Sequence, residues 1–86
     1  MLNKRERDMD TLAHIKNELL KARPHKKLTA TFHSLVLAHA DELQHIGPDC
    51  FCESVGMTNV WRIEFRKMIA AAQMLKDKGF HITKRP

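Results

Sequence analysis

The sequence of 86 residues lacks the features that mark several classes of protein. Its two cysteines, Cys50 and Cys52, are too few and too close together for a disulfide framework. A membrane span needs roughly 20 apolar residues, and the longest stretch without Lys, Arg, Asp or Glu covers only residues 28–40. Residues 4–8 are all charged where a secretory signal would be apolar, so we expect a cytoplasmic protein with no membrane partner.

Patterns typical of catalysis are also missing. The chain contains no G-x-S-x-G, no H-E-x-x-H and no glycine-rich phosphate loop. Cys50 and His45 could form a nucleophile pair, but a chain this short leaves little room for a substrate pocket of about 300 Å³ or more. A large α/β catalytic scaffold is excluded by length, because such a short chain holds one small core. We therefore expect a protein that is not an enzyme.

The two cysteines and a nearby histidine form only part of a metal site. Cys50, Cys52 and His45 would supply three ligands, whereas a structural zinc ion needs four. The simpler interpretation is that Cys52 is a small buried residue and that Cys50 is a partly exposed thiol. The sequence therefore predicts no metal and no other cofactor.

The net charge of +5 is unevenly distributed along the chain. Residues 1–30 carry eight Lys or Arg against four acids, residues 31–57 carry four acids and no Lys or Arg, and residues 58–86 carry seven basic residues against two acids. Positive charge confined to both ends, with a pI near 9.6, favours a polyanionic partner, either a nucleic acid or an acidic protein surface.

Hydrophobic spacing predicts an all-α fold, a small domain covering 1–86 with four helices. The predicted helices cover about 4–22, 30–46, 49–55 and 58–78, and a loose basic C-terminal tail follows. In the first helix, Leu12, Ile15 and Leu19 form one stripe, which either docks on the core or pairs with a second chain. The second helix starts near Thr29 or Thr31, either of which could cap it, although alternation over 28–32 leaves a short strand as a minority interpretation.

The third and fourth helices have clearer ends. Asp49 can cap the third helix or occupy its first turn, and Gly56 ends it. Thr58 is a suitable N-cap for the fourth helix, and Gly79 followed by an apolar residue is typical of its end. One apolar stripe at helical spacing marks the buried face of this helix: Trp61, Phe65, Met68, Ala72 and Leu75.

The order of the last helices resembles that of helix-turn-helix DNA-binding domains in general. Over about residues 49–75, a short helix ends near Gly56 and a longer amphipathic helix begins about three residues later. Cys52 is the small residue that such motifs commonly have four positions before the glycine, whereas Arg62 replaces the usual aliphatic residue six positions after it. The resemblance implies that the start of the fourth helix enters the major groove of DNA.

The outward face of the fourth helix carries side chains that can read base edges. Arginine pairs with guanine through two hydrogen bonds, and asparagine or glutamine pairs with adenine. Asp77 is the only acid on this face, and it lies at the far end. The face and the preceding turn supply the predicted DNA-binding residues: Thr58, Asn59, Arg62, Arg66, Lys67 and Gln73.

Two functional hypotheses follow from the sequence. The first is a DNA-binding transcriptional regulator that binds double-stranded DNA, with a homodimer as its natural form because two-fold dimers read paired half-sites. The second is a helical adaptor or inhibitor that binds an acidic protein partner, for which methionines and an exposed Ile63 would suit an adaptable contact. RNA is less favoured, because the aromatic residues are needed in the core and no strand platform is predicted.

Overall fold

The computed structural model describes residues 4–81, with side chains for 7–24 and 26–81. Five α-helices follow one another: α1 (Lys4–Ala22), α2 (Leu28–Ala38), α3 (Ala40–Leu43), α4 (Pro48–Ser54) and α5 (Trp61–Asp77). A short 3-10 turn, Arg23–His25, lies between α1 and α2. No β-strand occurs between residues 4 and 81, so the all-α prediction is confirmed.

The core is built by all five helices. Ile15 and Leu19 of α1 have almost no exposed surface, which places the first helix on the core and overturns the alternative that its stripe pairs with a second chain. The other buried side chains include three phenylalanines, and the ring centroids of Phe51 and Phe65 are 4.4 Å apart. The remaining members of the core come from α2, α3, α4 and the turn after α4: Phe32, Val36, Leu43, Cys52, Val55 and Met57.

The predicted second helix is interrupted, and its predicted start is wrong. The chain is helical from Leu28, so the short strand at 28–32 is excluded, and no threonine side chain caps α2. At His39 the backbone leaves helical geometry (φ −109°, ψ 16°) before α3 begins. The His39 ring lies edge-on to His14 of α1, with centroids 5.8 Å apart, and its Nδ1 donates to Glu42 over 3.0 Å. Contacts with α1 and α3 thus accompany a break that no proline or glycine marks.

Two glycines end helices as predicted. Gly56 has a φ of 74°, and the next N–H, that of Met57, bonds to the carbonyl of Cys52 at 2.9 Å. Gly79 has a φ of 87°, and the N–H of Phe80 bonds to the carbonyl of Leu75 at 2.9 Å. Both ends form the glycine-terminated motif in which the residue after the glycine closes the last helical turn.

The last helix begins later than predicted. Thr58 does not cap it through its side chain, because α5 starts at Trp61 and no side-chain cap is made. Instead, the carbonyls of Thr58 and Asn59 accept bonds from the N–H groups three residues later, both at 3.1 Å. Such a tighter turn is common at the start of an α-helix. The predicted basic tail, 84–86, lies outside the described residues.

Candidate nucleic-acid interface

The segment from α4 to α5 has the order of a helix-turn-helix motif. Phe51 and Cys52 of α4, Val55 and Met57 around the glycine, and Phe65 of α5 are all buried. Trp61 is half-buried, and its ring centroid lies 4.8 Å from that of Phe32. Because Trp61 provides the apolar contact at the start of α5, the next residue, Arg62, can point outward, which explains the sequence's departure from the usual aliphatic position.

Arg62 links the two helices of the motif. Its Nε donates to the Asn59 carbonyl over 3.0 Å, and its Nη1 donates to the Asp49 carboxylate over 2.9 Å. Both charged side chains of this pair are substantially exposed, so the ion pair adds little stability. The pair does hold the guanidinium over the start of α4, and no local pattern predicts it because the two residues are 13 positions apart.

The predicted DNA-binding residues divide between two shallow clefts and one flank. Thr58, Asn59 and Arg62 line a cleft of about 580 Å³ together with two acids of α4, Asp49 and Glu53. This acidic rim was not part of the sequence prediction.

The second cleft lies along the middle of α5. Arg66 and Gln73 line this cleft of about 410 Å³ beside apolar residues that include Ile46 and Ile69. Arg66 is exposed and makes no ion pair with any described residue. The Nε2 of Gln73 donates a hydrogen bond to Asp77 over 2.9 Å. The one acid predicted on this face therefore already accepts a hydrogen bond from a neighbouring side chain.

Lys67 lies on the flank of α5 that faces α2. Its Nζ is 3.6 Å from Glu64, which also accepts a 2.9 Å hydrogen bond from Nε2 of His33. That histidine bond and, to a smaller degree, the nearby Lys67 charge lower the pKa of Glu64 below its usual value of 4.5, although burial acts in the opposite direction. The histidine contact connects α5 to α2, whereas the lysine contact lies within α5 and leaves Lys67 well exposed.

The turn after α4 is held by a residue that the sequence reasoning passed over. Nη2 of Arg23 donates to the Gly56 carbonyl over 3.2 Å and approaches Sδ of Met57 at 3.6 Å. Arg23 is 33 residues from Gly56 in the chain, so no local pattern could have identified the contact.

The two cysteines differ as predicted. Cys52 is buried and Cys50 is exposed, and both are free thiols. Burial raises the pKa of the Cys52 thiol, and the Arg62 guanidinium opposes this rise. Within the described part of the chain, no three His, Cys, Asp or Glu side chains come together in a way that could hold a metal ion. No helix between residues 4 and 81 has the length and hydropathy of a membrane span.

Comparison with known proteins adds one finding. The model of a family described as an HTH-like domain matches residues 8–78, from the first turns of α1 to the end of α5. Searches among curated proteins and among solved structures gave no match.

Proposed function

This chain belongs to the family of HTH-like domains, and on that premise we propose that it binds double-stranded DNA as a transcriptional regulator. The helix-turn-helix order of α4 and α5 supports the proposal, because the second helix of such a motif is the one that enters the major groove. The observation that carries it is the exposed Arg66 guanidinium, which has no acidic partner among the described residues and has Gln73 two turns further along α5.

The proposed contacts divide by chemistry. Arg66 and Gln73 would read base edges, since these side chains can pair with guanine and adenine through two hydrogen bonds. Asn59 and Thr58 would lie at the entry to the groove, and Lys67 would contact a phosphate. Arg62 would contact DNA only through the N–H donors that its bonds to Asn59 and Asp49 leave free.

Binding to a labelled duplex, selected from a random pool, tests the proposal. Arg66→Ala should weaken binding to the selected sequence by roughly 5- to 150-fold, the range for one lost two-bonded contact with guanine. Arg66→Lys keeps the charge and should lose most of the sequence preference, because an ammonium group cannot make the planar double contact. Arg7→Ala, which removes an equal charge from the acidic cleft around Asp8 and Asp41, serves as the matched control.

Three outcomes would count against this proposal. If the wild-type protein retards no duplex at low salt, DNA binding is wrong. If it instead binds an acidic protein after nuclease treatment, the adaptor hypothesis replaces it. If Arg66→Ala and Arg7→Ala behave alike on the selected duplex, α5 does not read the sequence.

The proposal extends to the assembly and location of the protein. We include a homodimer, because a single module reads only a short stretch of DNA and paired half-sites are read by two-fold dimers. Light scattering on the protein with and without its duplex measures this directly, and a strictly monomeric complex with one copy per site would contradict it. A regulator also has to share a compartment with DNA, and a cytoplasmic location is part of the proposal.

A further inference from the structure

A second concentration of positive charge lies against the turn of the motif. Arg23 bonds to the Gly56 carbonyl, and Lys16 reaches the same glycine, with its Cε 3.9 Å from the place that a Cβ on Gly56 would occupy. Lys26 and Lys27 follow Arg23 in the connector, and the Lys26 N–H bonds to the Arg23 carbonyl over 3.3 Å. We name Lys16, Arg23, Lys26 and Lys27 the basic surface.

The charge of the basic surface is not neutralised within the described residues. None of its four members makes an ion pair there, and all four are exposed. Between residues 11 and 40 the only acid is Glu18, which pairs with Lys21 at 3.3 Å. The acids of α4 line the cleft that contains Arg62, and Glu64 of α5 is bonded to His33. Two exposed cations, Lys16 and Arg23, therefore lie against the turn, and two more follow in the connector.

The backbone fixes where these cations lie. Lys26 has a φ of 57°, a left-handed conformation that is uncommon for a residue with a side chain. Its N–H closes the 3-10 turn on Arg23, and the N–H of Lys27 bonds to the Ala22 carbonyl over 3.3 Å. The connector is thus attached to the end of α1, and the Arg23 side chain is attached to the turn. A basic segment whose backbone has a defined place relative to the turn can contribute contacts to phosphates.

We propose that the basic surface binds the phosphate backbone of DNA beside the groove that α5 enters. This inference rests on the proposed function and assigns to residues of α1 and the connector the contacts that position α5. Lysines act as point charges suited to phosphate and carry no base preference. Arg23 has a second role as a positioning residue, because it also holds the turn, and it is therefore left unchanged in the test.

The test compares two triple variants that each remove three positive charges. Lys16→Gln/Lys26→Gln/Lys27→Gln alters the basic surface. Lys21→Gln/Lys76→Gln/Lys78→Gln is the control of equal charge elsewhere on α1 and at the far end of α5, where Lys21 and Lys76 form ion pairs with acids. Affinity for the selected duplex and for a scrambled duplex is measured over a range of salt concentrations. Each lost phosphate contact should reduce the slope of log K against log salt by about 0.9.

The expected result is a slope reduced by up to about 2.7 in the basic-surface variant, with an unchanged preference for the selected over the scrambled duplex. The control should keep nearly the wild-type slope. Equal slopes for the two variants would overturn the inference while leaving the proposed function intact. Circular dichroism spectra that match the wild type ensure that both variants are folded.

Binding to a heparin column is a second probe. It separates failure of the proposed function from failure of the inference about the basic surface. If the wild type binds no duplex but the basic-surface variant elutes from heparin at lower salt than the control, the proposed function is wrong. The surface then binds a polyanion other than DNA, and its assignment to DNA phosphates is overturned. If the variants also elute together from heparin, both the function and the surface are wrong.

Discussion

Replacing Leu19 by alanine should severely destabilise the protein, whereas the same change at its neighbour should not. Leu19 is 1% exposed within the core, and Leu20, the next residue of α1, is 53% exposed. Burying a whole leucine side chain contributes about 1.5–3 kcal/mol. The cavity left by the truncation adds to this, so Leu→Ala changes in cores cost about 2–5 kcal/mol.

The magnitude matters because the domain is small. At about 0.05–0.15 kcal/mol per residue, a chain of this length has a total stability of about 4–13 kcal/mol. A loss of about 3 kcal/mol should lower the melting temperature by roughly 12–24 °C. Leu20→Ala should change the free energy of unfolding by no more than about 0.5 kcal/mol, as expected for an exposed position.

Urea denaturation followed by far-ultraviolet circular dichroism measures both changes. If Leu19→Ala prevents folding altogether, Ile15→Val at an equally buried site should still give a measurable loss of about 0.5–1.5 kcal/mol. Equal losses at Leu19 and Leu20 would refute the packing of α1 described above. The packing would also be refuted if the loss of unfolding free energy in Leu19→Ala depended on protein concentration, because this face of α1 would then contact a second chain.

Two further predictions concern the turn and the contact between α2 and α5. Gly56→Ala should cost about 1–2 kcal/mol in urea denaturation, because its positive φ is unfavourable for alanine while the nearest atom to a new Cβ is 3.9 Å away. Gly47→Ala, at a φ of −65°, should cost less, because it loses only the preference for glycine over alanine at the N-cap of α4, and equal losses would contradict the reasoning. Glu64→Gln should destabilise the protein above pH 4.5, the usual pKa of the carboxyl, and the difference from wild type should shrink as the pH falls through the lowered pKa of Glu64. A difference in the free energy of unfolding that stays constant over that range would show that the hydrogen bond from His33 does not stabilise the carboxylate.

Local patterns in the sequence predicted much of the secondary structure. The bounds of α1 were predicted at the residues where they occur, and Gly56 and Gly79 were identified as helix ends. These features depend on interactions within about four residues, such as the spacing of apolar side chains and the need for a residue that tolerates positive φ. The same spacing predicts the inner face of α5 only in part: Phe65 is buried and Trp61, Met68 and Ala72 are half-buried, but Leu75, at the end of the stripe, is exposed.

Tertiary contacts decided what local patterns could not. The break at His39 occurs where that residue meets His14 of α1, a contact that the spacing within α2 does not encode. Nothing in the sequence near Thr58 distinguishes an α-helical start from the tighter turn that Trp61 makes as it packs on Phe32. In both places a contact with another helix accompanies the departure from the local prediction.

In the candidate interface, too, local patterns predict some features and tertiary contacts decide others. The sequence by itself determined which side chains α5 carries on its outer face, because a helix repeats every 3.6 residues. Only the tertiary structure decided that Arg62 would be paired with Asp49 while Arg66 stayed unpaired, and that Arg23 would be held against Gly56. These contacts join residues 13 and 33 positions apart, and their formation depends on how the helices pack, which no short-range pattern specifies.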